Sequence, residues 1–219
     1  MSHTKHDIFE SRKQFQLERL MLFSDAVFAI AITLLILEIK LPHIEGEMTQ
    51  QAMIKSLIEI IPDGAGFLIS FVVIGQFWSN HHRLFGYISD YNNGLLWLNL
   101  HMLMWVAVMP FTTHLNMQYG NLDVVWFIYS LNLACIAFAL LLIWRYIAKH
   151  PMLSYMSQDK RFMKFAFIRS MAVTFIFLTG GSLTLLPWFW VKWASRFFFF
   201  TIFPAMAIIQ KRFNAGSKK

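Results

Sequence analysis

The chain is 219 residues long, 57% of them hydrophobic and 14% charged, with a formal net charge of +7 and a mean hydropathy of +0.51. Soluble domains typically carry about 25% charged residues, so this composition excludes an ordinary soluble fold and points to an all-α integral membrane protein. At about 20 residues per crossing, six spans consume most of the chain and leave no room for a folded soluble domain.

Six apolar segments follow one another, near residues 19–41, 64–88, 94–116, 123–148, 163–185 and 188–210. Polar or Pro/Gly punctuation separates them: LPHIEGEMTQQ, GYISDYNN, HLNMQYGNLD, KHPMLSYMSQDKR and LLPW. Between the first two, Gln51 to Ile61 is expected to form a short interfacial helix before Pro62. The expected organisation is one six-helix transmembrane domain over 1–210 and a basic tail over 211–219. The first segment is too long for a signal peptide, contains Asp25 and lacks a small-residue cleavage site, so no cleavable leader is expected.

Lys and Arg fix the expected orientation. Lys5, Arg12, Lys13 and Arg19 precede the first span, Arg83 follows the second, and Arg145, Lys149, Lys160, Arg161 and Lys164 flank the loop after the fourth. Lys211, Arg212, Lys218 and Lys219 close the chain, whereas the other side holds little beyond Lys40, Lys55 and Lys192. Both termini are therefore expected in the cytoplasm of a multi-pass cell-membrane protein, which requires an even number of spans. Trp188, Trp190 and Trp193 open the sixth segment as an aromatic belt at the outer interface. The basic residues collect in membrane-flanking loops, so nucleic acid is not an expected partner. Cys135 is the one cysteine, and no intrachain disulfide can form.

The first span carries the most informative pattern. Arg19, Phe23, Ser24 and Asp25 open it, and a charge within a span costs at least about 2.5–3.5 kcal/mol on insertion scales, so it needs a partner or a task. On a helical wheel Ile30, Thr33, Leu34 and Leu37 lie at about 0°, −60°, +40° and −20°, one arc about 100° wide, while Asp25 lies at about −140°. If the arc faces a central axis, Asp25 faces its own subunit. Periodicity alone describes equally well a helix that touches lipid or packs internally, and Thr33 equally well bonds back to its own helix. Trp78, Ser79, Asn80, His81, His82 and Arg83 end the second span, and the third opens with Asn92, Asn93, Asn99 and His101. A buried Asp25 needs donors, and these are the candidates. The expected network joins Arg19, Ser24 and Asp25 to Trp78, Asn99 and one of His81 and His82. Adjacent histidines diverge by about 100° on a helix, which makes a shared metal site awkward; a proton relay and a static support both remain open.

Arg19 followed by Phe23-Ser24-Asp25 at the head of the first span resembles the signature of the transmembrane protein 175 potassium-channel family. The likeness extends to six spans, a Trp/His-rich end of span two and an Asn-rich span three. It implies a homotetramer of single-motif subunits of the bacterial type around a four-fold axis, with the pore lined by the first helix. It implies that Ile30 forms the first apolar constriction, that Thr33 supplies hydroxyls to the filter and that Leu34 and Leu37 add further apolar rings. The permeant ion is then K+, with other monovalent cations competing, and no cofactor is implied. Nothing resembles a TVGYG filter. No GxSxG, HExxH, GxxxxGK[ST] or Cys/His metal spacing is present, which points away from an enzyme. Two other readings stand beside the channel: a proton-coupled secondary transporter using Asp25 and His82, and a non-conducting membrane scaffold. The absence of an internal repeat and of paired broken spans argues against the first.

Overall fold

The computed structural model describes residues 5–40, 47–198 and 201–215. Eight α-helices occur among them: α1 (Lys5–Leu37), α2 (Gln50–Glu59), α3 (Ile61–Phe85), α4 (Asn93–Tyr119), α5 (Asp123–Lys149), α6 (Lys160–Thr184), α7 (Phe189–Phe198) and α8 (Ile202–Ala215). Five helical stretches are long and apolar enough to cross a bilayer: 12–37, the combined α2–α3 stretch 50–85, α4, α5 and α6. The chain is thus an all-helical, multi-pass membrane protein.

Helix starts follow local chemistry. The Asn92 carboxamide oxygen accepts from Leu95 N–H at 3.0 Å to cap α4. Asp159 caps α6 by accepting from the amides of Arg161 and Phe162 at 3.0 and 2.9 Å. Thr49 caps α2 through Ala52 N–H at 3.2 Å. Such side chains accept bonds from N–H groups that have no partner within the helix.

The structure departs from the sequence expectations at four places. Helix α1 begins at Lys5 rather than near 19, because Lys5–Glu18 holds good helix formers and neither Gly nor Pro, so the apolar helix propagates outward. Helices α2 and α3 meet with only Ile60 between them. Pro62 sits in the first turn of α3, where a missing N–H costs nothing, so it opens a helix without requiring a loop. The sixth expected span, 188–210, is divided into α7 and α8, with residues 199–200 outside the described residues. The expected tail also begins later than 211, since α8 continues to Ala215; 216–219 lie outside the described residues.

Helix α5 is the spine of the bundle. It packs against α4 on one side and α6 on the other, and Leu133, Ile136, Ile143 and Ile147 are fully buried along it. Gly181 brings α6 close to α5, because a Cβ there would stand 2.5 Å from that of Ser130. Helix α1 packs on α3 and α4. Its buried stripe, Leu17, Leu20, Ser24, Phe28, Ala31 and Leu35, recurs at helical spacing and joins the core with Ile74, Leu84, Met102 and Met109.

The two ends of the bundle are tied differently. At one end Lys192 and Arg196 of α7 both reach Asp123 at the start of α5, the arginine at 3.8 Å. At the other, Arg161 donates to the Phe213 carbonyl and Phe165 lies 4.4 Å from the Phe213 ring, so α8 finishes beside the start of α6. At that same end Ser89 N–H donates to Leu153 O at 2.9 Å and Ser154 Oγ to Tyr87 O at 2.7 Å, which joins the loop after α3 to the loop after α5.

The Asn92 cap does two jobs, since Tyr146 Oη of α5 also donates to its oxygen at 3.1 Å. Gly94 makes room for that ring, because a Cβ there would lie 2.1 Å from the tyrosine oxygen. Asn92→Ala is therefore expected to lower stability by about 1–2 kcal/mol, and Asn92→Asp by much less. Denaturant unfolding of the purified protein in detergent checks this, and equal stability of wild type and the alanine variant would remove Asn92 as a joint of the fold.

Candidate functional site

The site is built on α1, and its opposite faces do different things. On the inward face Ser24 is fully buried. Its hydroxyl donates to Leu20 O at 2.8 Å and accepts from Asn99 Nδ2 of α4 at 2.9 Å. Asn99 Oδ1 in turn lies 2.8 Å from His81 Nε2 of α3. The Leu20 carbonyl can only accept, so Ser24 must donate to it and receive from the Asn99 amide. The Asn99 oxygen is then the acceptor, and His81 carries its proton on Nε2. One polarised chain thus links three helices. His81 is stacked on Phe85 at 4.2 Å and lies 5.5 Å from Phe28, while its Nδ1 has no hydrogen-bond partner among the described residues.

Asp25 forms a second, separate tie. Its Oδ1 accepts from Trp78 Nε1 of α3 at 2.9 Å, and the Trp78 ring leans on His82 at 5.5 Å. His82 is exposed and makes no bond to Asp25 or Asn99 among the described residues. Arg19 is not brought to Asp25 either: it is exposed, with its guanidinium 5.9 Å from the Phe15 ring centroid. On the wheel Arg19 lies about 120° from Asp25, and Phe23 lies within about 20° of Ile30, so these two motif residues share the outward side with the stripe. The sequence expectation of one network splits into a buried Ser24–Asn99–His81 chain, a half-buried Asp25–Trp78 pair and an outward Arg19–Phe23 edge.

The outward face is apolar and uncovered within the protomer. Ile30 is 58% exposed and Leu37 74%, against 1% for Phe28 and 0% for Leu35 on the other side. Leu34 and Thr33 are exposed as well. The Thr33 hydroxyl shares its proton between Ala29 O at 3.0 Å and Ile30 O at 2.9 Å, which leaves its oxygen lone pairs free. Beyond the stripe, Glu38 Oε2 lies 3.0 Å from His114 Nδ1, and Lys40 Nζ donates to Gln118 at 3.4 Å. Among the described residues no three metal-ligating side chains converge.

Sequence reasoning missed a second buried polar layer. Thr113 Oγ1 donates to Ser70 Oγ at 3.1 Å, Ser70 Oγ lies 3.2 Å from Tyr129 Oη, and Asn132 Nδ2 donates to Thr112 Oγ1 at 3.2 Å. Hydroxyl and amide residues inside apolar spans were the available signal. The layer lies about four turns beyond Asn99 along α4 and joins α3, α4 and α5.

Five membrane-length helical stretches, among them a buried α5 between α4 and α6 and a pinned first helix that leaves an apolar face open, define a multi-pass helical membrane protein. Residues 19–110 match the family model described as endosomal/lysosomal potassium channel TMEM175. The chain is 39% identical over 131 residues to "Potassium channel B446_29190" of Streptomyces collinus, covering 58% of this chain and 62% of that one. It is 42% identical over 95 residues to "Potassium channel HX13_20290" of a Chryseobacterium species, covering 43% of this chain and 46% of the relative. The aligned stretches span less than two thirds of these relatives' lengths. The fold superposes on the crystal structure of a lysosomal potassium-selective channel TMEM175 homolog from Chamaesiphon minutus with a TM-score of 0.70 at 27% identity, covering 91% of this chain and 98% of the other. On these likenesses the chain resembles the TMEM175 potassium channels, which are ion channels rather than enzymes.

Ser24 and Asn99 are expected to behave as one unit. Ser24→Ala leaves the Asn99 amide buried without an acceptor, a loss of about 1–3 kcal/mol. A double-mutant cycle with Asn99→Ala is expected to give a coupling of about 0.5 kcal/mol or more. Strictly additive losses would show that the two side chains are not joined.

Proposed function

We propose that the chain is the subunit of a homotetrameric, potassium-preferring cation channel whose pore is walled by the outward face of α1. The observation that carries this reading is that face itself: Ile30, Thr33, Leu34 and Leu37 are exposed in line, while the opposite side of the same helix is locked to α3 and α4. One such helix per chain encloses a pore only when several chains meet. The relatives named as potassium channels support the same choice.

On this reading Ile30 is the bottleneck. A ring of four isoleucines offers no oxygen to replace hydration water, so it closes by dewetting and, when open, passes an ion that keeps most of its shell. Thr33 lies about one turn further along the axis. Its proton is held by Ala29 and Ile30 carbonyls, so the hydroxyl oxygen is free to face a cation, and four of them give a modest preference. Leu34 and Leu37 extend the apolar wall. Arg19 and Phe23, on the same side, flank the mouth at the basic end. Asp25, tied to Trp78, acts on pore geometry through the position of α1.

The reading includes a sixth crossing. Helix α7 begins near Asp123 and α8 ends beside Arg161 at the far end of α6, so together they retrace the length of α6. Both termini then share the basic, cytoplasmic side of the cell membrane.

Planar-bilayer recording of the purified protein under a potassium/sodium gradient tests the proposal. Wild-type currents are expected to reverse toward the potassium potential, with Ile30→Asn giving larger or less selective currents. Silence in both, from folded tetramer, would contradict the channel, and saturable proton-dependent uptake would favour a transporter. Thr33→Val is expected to lower the potassium-over-sodium permeability ratio by about two- to tenfold with conduction retained, the worth of about 0.5–1.5 kcal/mol of polar contact. An unchanged reversal potential would take Thr33 out of the filter. Asp25→Ala is expected to impair assembly or gating while leaving the permeability ratio alone.

A further inference from the structure

The basic end of the bundle holds two arginines whose charge no carboxylate among the described residues pairs with. Tyr87, just beyond α3, packs edge-on against Phe162 of α6 at 5.1 Å, and Phe77 of α3 lies 6.2 Å from Phe177 of α6. The two segments therefore run antiparallel and meet through these rings, with ten residues on the α3 side set against fifteen on α6. Arg169, seven residues beyond Phe162, falls opposite positions 82–83. That is where Arg83 stands, and the fields of Arg83 and Tyr87 both reach the Arg169 guanidinium. Among the described residues neither arginine makes an ion pair. The nearby carboxylates are engaged elsewhere: Asp90 holds Lys13 at 2.8 Å, and Asp159 caps α6.

Depth makes this arrangement informative. Arg169 lies about 13 Å along α6 from Lys160 at a 1.5 Å rise per residue, deeper than the basic collar of Lys160, Arg161 and Lys164. It is half-buried, and its guanidinium lies 5.9 Å from the ring centroid of Phe165. Arg161, Phe165 and Arg169 form one stripe along α6, and Phe213 of α8 packs against Phe165 within it. A charge within a span is costly unless it meets a counter-charge, and a second arginine beside it raises the cost. Phosphate is the anion whose geometry matches the guanidinium fork. A phosphate carried on acyl chains suits a site flanked by phenylalanines just inside the basic collar; a freely soluble one has no use for them.

We propose that Arg83 and Arg169 form a binding site for the phosphate of an anionic phospholipid in the seam between α3 and α6. The proposal needs only the membrane placement of the chain and stands whether or not it conducts.

Native mass spectrometry of the full-length protein, released from detergent after incubation with phosphatidylglycerol or phosphatidylcholine, tests it. Wild type is expected to retain phosphatidylglycerol in preference to phosphatidylcholine. R83Q/R169Q is expected to bind phosphatidylglycerol about ten- to thirtyfold more weakly, the worth of two arginines near an anionic surface. R83Q alone, a change at an exposed side chain, is expected to weaken it about fivefold and keeps the test available if the double variant does not fold. K149Q removes an equal charge from the same end and is expected to change little. Equal retention of phosphatidylglycerol by wild type and R83Q would overturn the proposal. An equal loss in K149Q would replace the site by diffuse surface charge, and displacement of the lipid by millimolar inorganic phosphate would assign the arginines to a soluble anion.

Discussion

The rotation of α1 about its own axis is the constraint on which everything else rests, and the hydrogen-bonded chain from His81 through Asn99 and Ser24 to the Leu20 carbonyl sets it. Between helices in a bilayer there is little hydrophobic force to choose one rotation over another, because lipid tails are as apolar as leucine. Polar links must choose. Helix α1 has four along its length: Lys13 to Asp90 at the foot, Ser24 to Asn99, Asp25 to Trp78, and Glu38 beside His114 at the top. They keep Phe28, Ala31 and Leu35 inward, so Ile30, Thr33, Leu34 and Leu37 are held outward. A turn of the helix by one residue would bury the hydroxyl of Thr33 against the core and strand the amide of Asn99.

The rest of the bundle supplies the frame for those links. Helix α5, buried between α4 and α6, holds α4 in place through close packing and through Asn132, which donates to Thr112. Asn99 belongs to that same α4, and Thr112 and Thr113 lie two and three residues past Pro110, which frees a carbonyl in the helix. The two polar layers thus sit one above the other on α4, one aimed at α1 and the other at α5. The outer helices α6, α7 and α8 close the far side, with the Asp123 clamp at one end and the Arg161–Phe213 contact at the other.

Much of this was legible in the sequence, for identifiable reasons. The boundaries of α4, α5 and α6 fell within a few residues because polar or Pro/Gly punctuation interrupts the apolar segments there. That Asp25 and the Ile30 arc lie on opposite sides of α1 follows from 100° per residue alone. What was not legible depends on neighbours. His81 and His82 are chemically identical, and only the packing of α3 against α1 and α4 decides that His81 faces Asn99. Arg19 looks like the natural partner of Asp25 by charge, yet Trp78 takes that place, because an indole N–H on the adjacent helix is nearer than a side chain about a third of a turn away on the same one. The early start of α1 is hidden by a polar composition that reads as loop where no residue forbids a helix, and the join of α2 to α3 by Pro62, which reads as a break but sits in a first turn.

The central claim, that one face of α1 is the conducting wall, is tested most directly by cysteine accessibility across that helix in a Cys135→Ser background. Single cysteines at 30, 33, 34 and 37, and at 28, 31 and 35 as the opposite face, are exposed to a water-soluble thiol reagent while current is recorded. The account predicts that the reagent blocks current at 33 and at least one neighbour on its face, and leaves 28, 31 and 35 untouched. Block confined to the inward positions, or none along α1 in a protein that conducts, would place the pore elsewhere.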